Sequence, residues 1–333
     1  MKVLIVRFSS IGDVVLTTPV VRAIREQRPD CEIHYVTKAP FKSLLEHNPH
    51  LSKIFTFKKS VKEILPELKA ERYDRMIDLH HNFRSVALSF YLGVKAERFR
   101  KLNILKWVLV HLKWQVMPDV HVVDRYFGAV SVLGVKNDQK GGEVFLSKED
   151  HVNVQQDLGV DAAGYLTVAI GAQFATKRMP LELLIQVLNK IQLPVVLCGG
   201  ETDQELAAAA LSSLPDKKIL NACGRYTLLQ SASIVSQSAA ILSNDTGLMH
   251  IASCFQIPTV SIWGNTVPEL GMFPYFPQDK SRYSLHQVEG LSCRPCSKIG
   301  FQECPKGHFN CMKLQDAEKI VERTNQFLLL PKK

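Results

Sequence analysis

Apolar residues fall into two rhythms along this chain, and the rhythms alternate. KVLIVRF near the N-terminus is a continuous β-branched run, the pattern of a strand buried on both faces. VLTTPVVRAIREQ then shows helical periodicity, with Pro19 in an early turn. EIHYV, KIFTF and RMIDLH read as further strands with helix-like stretches between them. Residues 134–164 are polar and contain Gly141 and Gly142, which marks a linker. The rhythm then restarts. YLTVAIGA is a strand, PLELLIQVLNKI a helix, PVVLCGG a strand and DQELAAAALSSL a helix. AAILSND, GLMHIASCF and PTVSIWG complete a strand–helix–strand unit. In DAEKIVERTNQFLLL, Ile320, Val321, Phe327 and Leu328 recur at helical spacing and predict a closing helix. Strands alternating with helices specify parallel sheets covered by helices, an α/β fold. The expected organisation is a first domain over residues 1–150, a second over 151–314 and a closing helix over 315–333.

Composition narrows this without redirecting it. A chain of 333 residues is long for one core. With 46% hydrophobic and 22% charged residues it has no signature of disorder. No run of about 18 apolar residues is present, so no spanning helix is expected. Lys2 and the apolar stretch Val3 to Val6 imitate a signal peptide, but Arg7 interrupts it and no small-residue cleavage site follows. The segment reads as the buried first strand of a cytoplasmic protein. The balance of 41 basic against 32 acidic residues, +9, favours an anionic partner such as a nucleotide, a phosphorylated glycan or an anionic membrane. No arginine-rich run or zinc-finger pattern points to nucleic acid.

In doubly wound folds ligands gather where strands end, and the informative residues lie there. Ser9-Ser10-Ile11-Gly12-Asp13 follows the first strand and opens a helix. It lacks the G-x-G-x-x-G fingerprint of dinucleotide binders. Gly12 allows close backbone approach. Asp13 is either a helix-capping residue or a carboxylate placed to take a proton from an acceptor hydroxyl. Thr176-Lys177-Arg178-Met179-Pro180 places two cations at a helix start, where the macrodipole disfavours them. Solvated surface charge is one reading, and an anion held between the cations and the backbone N–H groups is the other. Cys198-Gly199-Gly200-Glu201-Thr202-Asp203 ends a strand in two glycines followed by acids, which suits either a ribose hydroxyl or a helix cap. Ser243-Asn244-Asp245-Thr246-Gly247-Leu248-Met249-His250 ends a strand in small residues that expose N–H groups to a diphosphate, with His250 one helical turn beyond Thr246. Gly264-Asn265-Thr266-Val267-Pro268-Glu269 is another polar loop after the next strand.

Taken together, S-S-x-G-D, K-R-x-P, G-G-x-x-D and above all S-N-D-T-G-L-M-H-I-A resemble the lipopolysaccharide heptosyltransferase family, glycosyltransferase family 9. The likeness runs from residue 1 to about 315. It implies a GT-B fold of two facing Rossmann-like domains, with the closing helix packing back across them. It implies inverting transfer of a heptose-like sugar from an ADP-sugar to a lipid-linked or core oligosaccharide acceptor, with no metal and no cofactor. Within it Asp13 matches the general base, Lys177 the lysine on the donor phosphates and Asp203 the acid at the ribose. Asp245, Thr246, Gly247 and His250 match the donor block, beside which Gly12 and Arg178 are donor-side candidates. Met179 stands where the family has an aromatic residue, and Asn265 and Val267 replace its usual Pro and acid. A nucleotide-sugar 2-epimerase on the same scaffold and a non-catalytic nucleotide-sugar-binding protein are the competing functions. An acceptor-side base argues against the second, and only product analysis separates the first.

Two segments remain. Cys293, Cys296, Cys304 and Cys311 form a cluster with one metal-like Cys-x2-Cys pair, which is read here as a loop of free thiols or a structural metal site. Residues 98–114 combine Arg98, Arg100, Lys101, Lys106 and Lys113 with Trp107 and Trp114, seven apart on one expected helix face. That pattern suits peripheral contact with the anionic inner membrane, or a buried helix with snorkelling lysines.

Overall fold

The computed structural model describes residues 1–330, and residues 331–333, the end of the expected closing segment, lie outside the described residues. The chain divides into two compact units, one formed by residues 1–102 and 120–145, the other by residues 103–119 and those from 146 onward. The first unit carries β1 (Lys2–Val6), α1 (Ile11–Val15), α2 (Thr18–Gln27), β2 (Glu32–Lys38), α3 (Ser43–Glu46), β3 (Lys53–Phe57), α4 (Leu65–Ala70), β4 (Arg75–Asp78), α5 (Phe83–Leu92) and β5 (Ala96–Arg98). Then α6 (Asn103–Leu112) joins the second unit, and α7 (Val122–Val130) returns to the first. The second unit continues with α8 (Val154–Leu158), β6 (Leu166–Ala169), α9 (Leu181–Lys190), β7 (Val195–Cys198), α10 (Gln204–Ser213), β8 (Ile219–Asn221), α11 (Leu228–Ser236), β9 (Ala240–Asn244), α12 (Gly247–Cys254), β10 (Thr259–Trp263), β11 (Tyr283–Gln287), α13 (Asn310–Lys313) and α14 (Ala317–Leu328).

Both sheets are parallel throughout. The first runs β3-β2-β1-β4-β5 and the second β11-β10-β9-β6-β7-β8. Strand order therefore reverses between β1 and β4 in one unit and between β6 and β9 in the other. At such a point the connections leave in opposite directions and open a crevice at the carboxyl ends of the strands. Both faces of β1 are covered. Leu4 and Val6 join a core with Phe55, Leu68 and Leu88, and Val3 and Ile5 are equally buried behind them. This is why the run is continuously apolar instead of alternating.

Several details differ from the sequence expectation. The first helix begins at Ile11 and is broken at Leu16 and Thr17, so it forms two pieces. Strands β5, β8 and β11 are short or edge elements with little apolar signal. Arg98 is a strand residue, and the helix expected over 98–114 spans only Asn103–Leu112. Lys113 adopts positive φ just past its end, so Trp114 leaves the helix and does not share a face with Trp107. Lys113 then donates to the carbonyls of Val110, Cys293 and Pro295. Leu109 packs with Val267 and Leu270, which explains why α6 belongs to the second unit and not to a domain of residues 1–150. The closing helix α14, expected to pack back across the domains, lies against α9, β9 and β10 of its own unit through Ile320, Val321 and Phe327.

One buried cation organises the return of the chain in the first unit. Arg22 on α2 reaches Asp138 through Nε at 2.8 Å and Nη2 at 2.9 Å, Glu143 at 3.0 Å and the Gly141 carbonyl at 2.8 Å. It holds the polar segment that the sequence marked as a linker flat against the helix. Arg22→Ala should therefore destabilise the protein by about 3–5 kcal/mol, because two carboxylates lose their buried partner. Denaturant unfolding measures this, and a loss below about 1 kcal/mol, the level of an exposed pair, would show that the segment is held by other contacts.

Candidate active site

At the first switch point the centre is Arg7, the charge that follows strand β1. It is buried, and a buried guanidinium must be paired and hydrogen-bonded. Its Nε donates to the Ser9 carbonyl at 2.9 Å, and Nη1 donates to the Leu79 carbonyl at 2.5 Å and to Tyr126 Oη at 3.1 Å. Its Nη2 lies 2.5 Å from Asp13 Oδ1. The other oxygen, Oδ2, accepts from the Ser10 backbone N–H at 3.2 Å and from Ser10 Oγ at 2.9 Å. Asp13 thus caps the helix start with one oxygen and pairs with Arg7 through the other. Its side chain keeps 21% of its surface exposed. Burial pushes the carboxyl up, but the Arg7 charge and the Ser10 hydrogen bonds outweigh this and hold it below the usual carboxylate range. His80, just past β4, is pushed down to about 3 by burial and by the charges of Arg7, Lys101 and Arg84, so it is neutral beside the carboxylate.

The second switch point repeats the arrangement with other residues. Lys177, in the loop after β6, reaches Asp245 Oδ2 at the end of β9, with Nζ and oxygen 2.5 Å apart. Thr266 Oγ1, beyond β10, donates to the same oxygen at 2.9 Å. Buried Asn244 locks the two strand ends together. Its Nδ2 donates to the carbonyls of Ala169 and Ile170, and its Oδ1 accepts from the Met179 N–H at 3.2 Å. Thr246 caps α12 in extended backbone and makes no side-chain capping bond, and Gly247 follows as the first helical residue. Arg178 Nε donates to the Ala172 carbonyl, and Nη1 lies 3.6 Å from Asp203. Asp203 is buried, with Oδ2 accepting from the Gly200 N–H at 2.8 Å and Oδ1 accepting no hydrogen bond. His250 is buried one turn further along α12, and Gly12 is buried within α1. Lys177, Arg178, Asp203, Asp245, Thr246 and Gly247 thus gather at strand ends in the second unit, while Asp13 and Gly12 belong to the first.

Sequence reasoning passed over three supports. Arg7 was visible as a charge ending an apolar strand, and its burial is the clue that it needs a partner. Gly171 matters because a Cβ there would lie 2.2 Å from Asp203 Oδ2. Arg294, inside the cysteine segment, is buried and donates to the carbonyls of Gly264, Thr266 and Val288 and to Gln287 Oε1, bracing the loop that carries Thr266. The cysteines around it are free, and burial pushes the Cys311 thiol up to about 12. Among the described residues, the group of metal-type ligands within 4.8 Å of one another is Glu32, His34 and Glu71, not the four clustered cysteines. Glu71 already pairs with Lys2 at 2.6 Å and Lys53 at 2.7 Å, so that group is charge-satisfied.

A family model described as glycosyltransferase family 9 (heptosyltransferase) matches residues 61–299. The lipopolysaccharide core heptosyltransferase OpsX of Haemophilus influenzae is 24% identical over 284 residues, covering 81% of each chain. A glycosyltransferase family 9 structure from Veillonella parvula matches with a TM-score of 0.79 at 20% identity, covering 98% of this chain and 97% of that one. The E. coli heptosyltransferase WaaC with ADP matches at 0.67 and 19% identity, covering 98% and 100%. Likeness at these identities speaks to the fold, which is GT-B.

The contact between Gly171 and Asp203 can be tested directly. Gly171→Ala should cost about 1–3 kcal/mol by forcing the carboxylate aside. Asp203→Ala in the same chain should relieve much of that cost, giving a coupling of about 1 kcal/mol or more in a denaturant-based double-mutant cycle. Additive costs would mean that something other than Asp203 excludes the methyl group.

Proposed function

The chain belongs to glycosyltransferase family 9, and we propose that it transfers a heptose-like sugar, with inversion, from an ADP-sugar to a hydroxyl of a lipopolysaccharide or lipooligosaccharide core. The observation that carries the reading is the pair of charged locks at the two switch points. One presents a carboxylate and the other a lysine. The donor is assigned to the second unit, where Lys177, Arg178 and the uncapped N–H groups of α12 offer positive potential to a diphosphate. Asp203, whose Oδ1 lies 3.6 Å from Arg178 Nη1, is assigned with that arginine to the ribose side of the donor. The acceptor is assigned to the first unit, where Asp13 meets its hydroxyl.

In the proposed step, the acceptor oxygen attacks the anomeric carbon from the side opposite the diphosphate. The bond to the diphosphate breaks, ADP carries away the electron pair, and the hydroxyl proton passes to Asp13. A carboxylate held below its usual range is ionised throughout the neutral region but is a weak base. It therefore acts as the new bond forms and the hydroxyl becomes acidic. Lys177 shares its charge with Asp245 before the donor arrives, and phosphate oxygens compete for it. As ADP departs, the lysine and the α12 N–H groups stabilise the charge that develops. Because the acceptor is lipid-linked, peripheral contact with an anionic inner membrane forms part of the proposal.

Asp13→Asn should lower kcat by about 10²–10⁴-fold and leave the affinity for the ADP-sugar within about twofold. Single-turnover assays and calorimetry measure the two quantities, and a mutant turning over normally would remove Asp13 from the role of base. The wild-type rate should fall on the acid side only below the usual carboxylate range, as Asp13 takes up its proton. Arg7→Met removes the charge that holds the carboxyl down, so the acid limb should move to higher pH. An unmoved limb would mean that another group titrates.

Lys177→Ala should weaken ADP binding by about 1.5–3 kcal/mol, the worth of a hydrogen bond to a charged group. Equal affinities of mutant and wild type in calorimetry would leave Lys177 a structural partner of Asp245. Product analysis by mass spectrometry with and without acceptor completes the test. An epimerised nucleotide sugar formed without acceptor would replace transfer with epimerisation.

A further inference from the structure

Helix α5 buries one face and leaves the other bare. Leu88 lies in the core of the first unit, and Ser85 and Ser89 are buried beside it. On the outward side Phe83 is 87% exposed, Phe90 79% and Tyr91 43%. Phe83 and Phe90 are seven residues apart, two helical turns on one stripe, and stand about 10 Å from each other along the axis. Phenylalanine is seldom left so bare, and paired exposed aromatics mark a contact surface.

A run of lysines adjoins this stripe through Lys62. Lys58, Lys59 and Lys62 are exposed, and Lys62 Nζ lies 5.9 Å from the centre of the Tyr91 ring. Glu63, the acid within that run, spends its carboxylate on the backbone N–H groups of Lys58, Lys59 and Ser60. Arg84 lies over the Phe8 ring at 5.9 Å. That contact ties the start of α5 to the segment that leads through Ser9 and Ser10 to Asp13.

We propose that the outward face of α5, with Phe83, Phe90 and Tyr91 entering the interface and Lys58, Lys59 and Lys62 at the phosphates, docks the first unit on an anionic lipid bilayer. Aromatic residues beside lysines fit the boundary between headgroups and acyl chains. A second copy of the chain fits poorly, since a two-fold contact through this face would set its own lysine run against itself. The inference deepens the proposed function, on which it rests for the lipid-linked acceptor. The binding of lipid itself depends only on the face.

The test is co-sedimentation of the full chain with extruded vesicles of phosphatidylcholine, with and without phosphatidylglycerol, at low and high salt. The wild type should sediment with the anionic vesicles at low salt and be released by salt. Phe83→Ser with Phe90→Ser should reduce partitioning by about tenfold for each ring and leave the thermal midpoint unchanged, because both side chains are exposed. Lys58→Glu, Lys59→Glu and Lys62→Glu together should lose at least about fivefold per lysine, and the salt response with it. Trp107→Ser on α6 should stay within twofold of wild type. The proposal is overturned if the wild type ignores anionic vesicles at low salt, if the double phenylalanine variant binds as wild type, or if only Trp107→Ser loses binding. A dimer that depends on Phe83 and Phe90 in sedimentation velocity also overturns it. Transfer to a deacylated, water-soluble acceptor should survive in the double phenylalanine variant, and its loss there would place the two rings in the reaction itself. A chain that binds vesicles but transfers no sugar to any acceptor would end the proposed function and leave the docking face standing.

Discussion

A charge carried to the end of a buried strand has to be met there, and much of this structure follows from how that demand is answered. Arg7 follows β1 inside the first unit, where an unpaired guanidinium would be prohibitively costly. Its answer comes from three directions: the Leu79 carbonyl beyond β4, the Tyr126 hydroxyl on α7 and the carboxylate of Asp13 on α1. The same contacts that satisfy the cation fix the carboxylate in place. Removing the solvent from Arg7 therefore fixes the orientation of the Asp13 carboxylate. The second unit also pairs a cation with a carboxylate, but across the ends of two strands. There Lys177 follows the first strand, Asp245 follows the fourth, and Asn244 ties the two strand ends by hydrogen bonds.

Both locks straddle the place where strand order reverses, and this has a consequence for how rigid they are. A side chain on a free loop would lose rotamer freedom on meeting a ligand. Asp13 has both oxygens occupied before any ligand arrives, which leaves its remaining lone pairs pointing in set directions. The cost is basicity, because the contacts that position the carboxylate also stabilise its charged form. Lys177 is different. Its partner Asp245 also accepts from Thr266, so the carboxylate keeps a donor if the lysine turns to an anion.

Small residues and an irregular loop complete the second unit. Gly171 and Gly199 leave the space that the Asp203 carboxylate occupies, and a side chain at either would collide with it. Gly264 passes the Thr176 carbonyl so closely that a Cβ would stand 2.8 Å from it. The loop beyond β11 has little regular structure, yet its Arg294 gathers carbonyls from both sides of the Thr266 turn. Its cysteines are free, and the organising group there is the arginine.

What the sequence determined by itself is local and repetitive. The apolar runs named the main strands, since a strand covered on both faces must be continuously apolar. The restart of the rhythm near residue 165 announced two units, and the strand-end motifs located Asp13, Lys177, Asp203 and Asp245. Periodicity reports burial but not neighbours, and so it could not say that Arg7 would meet a hydroxyl 119 residues away or that Lys177 would meet an acid 68 residues on. It also missed β5, β8 and β11, because short or edge strands carry little apolar signal. It extended one helix through Trp114 because nothing local reveals that Lys113 turns into positive φ. The tertiary structure alone decided strand order, the unit to which α6 belongs and the bare face of α5, since each depends on which distant segment covers a surface.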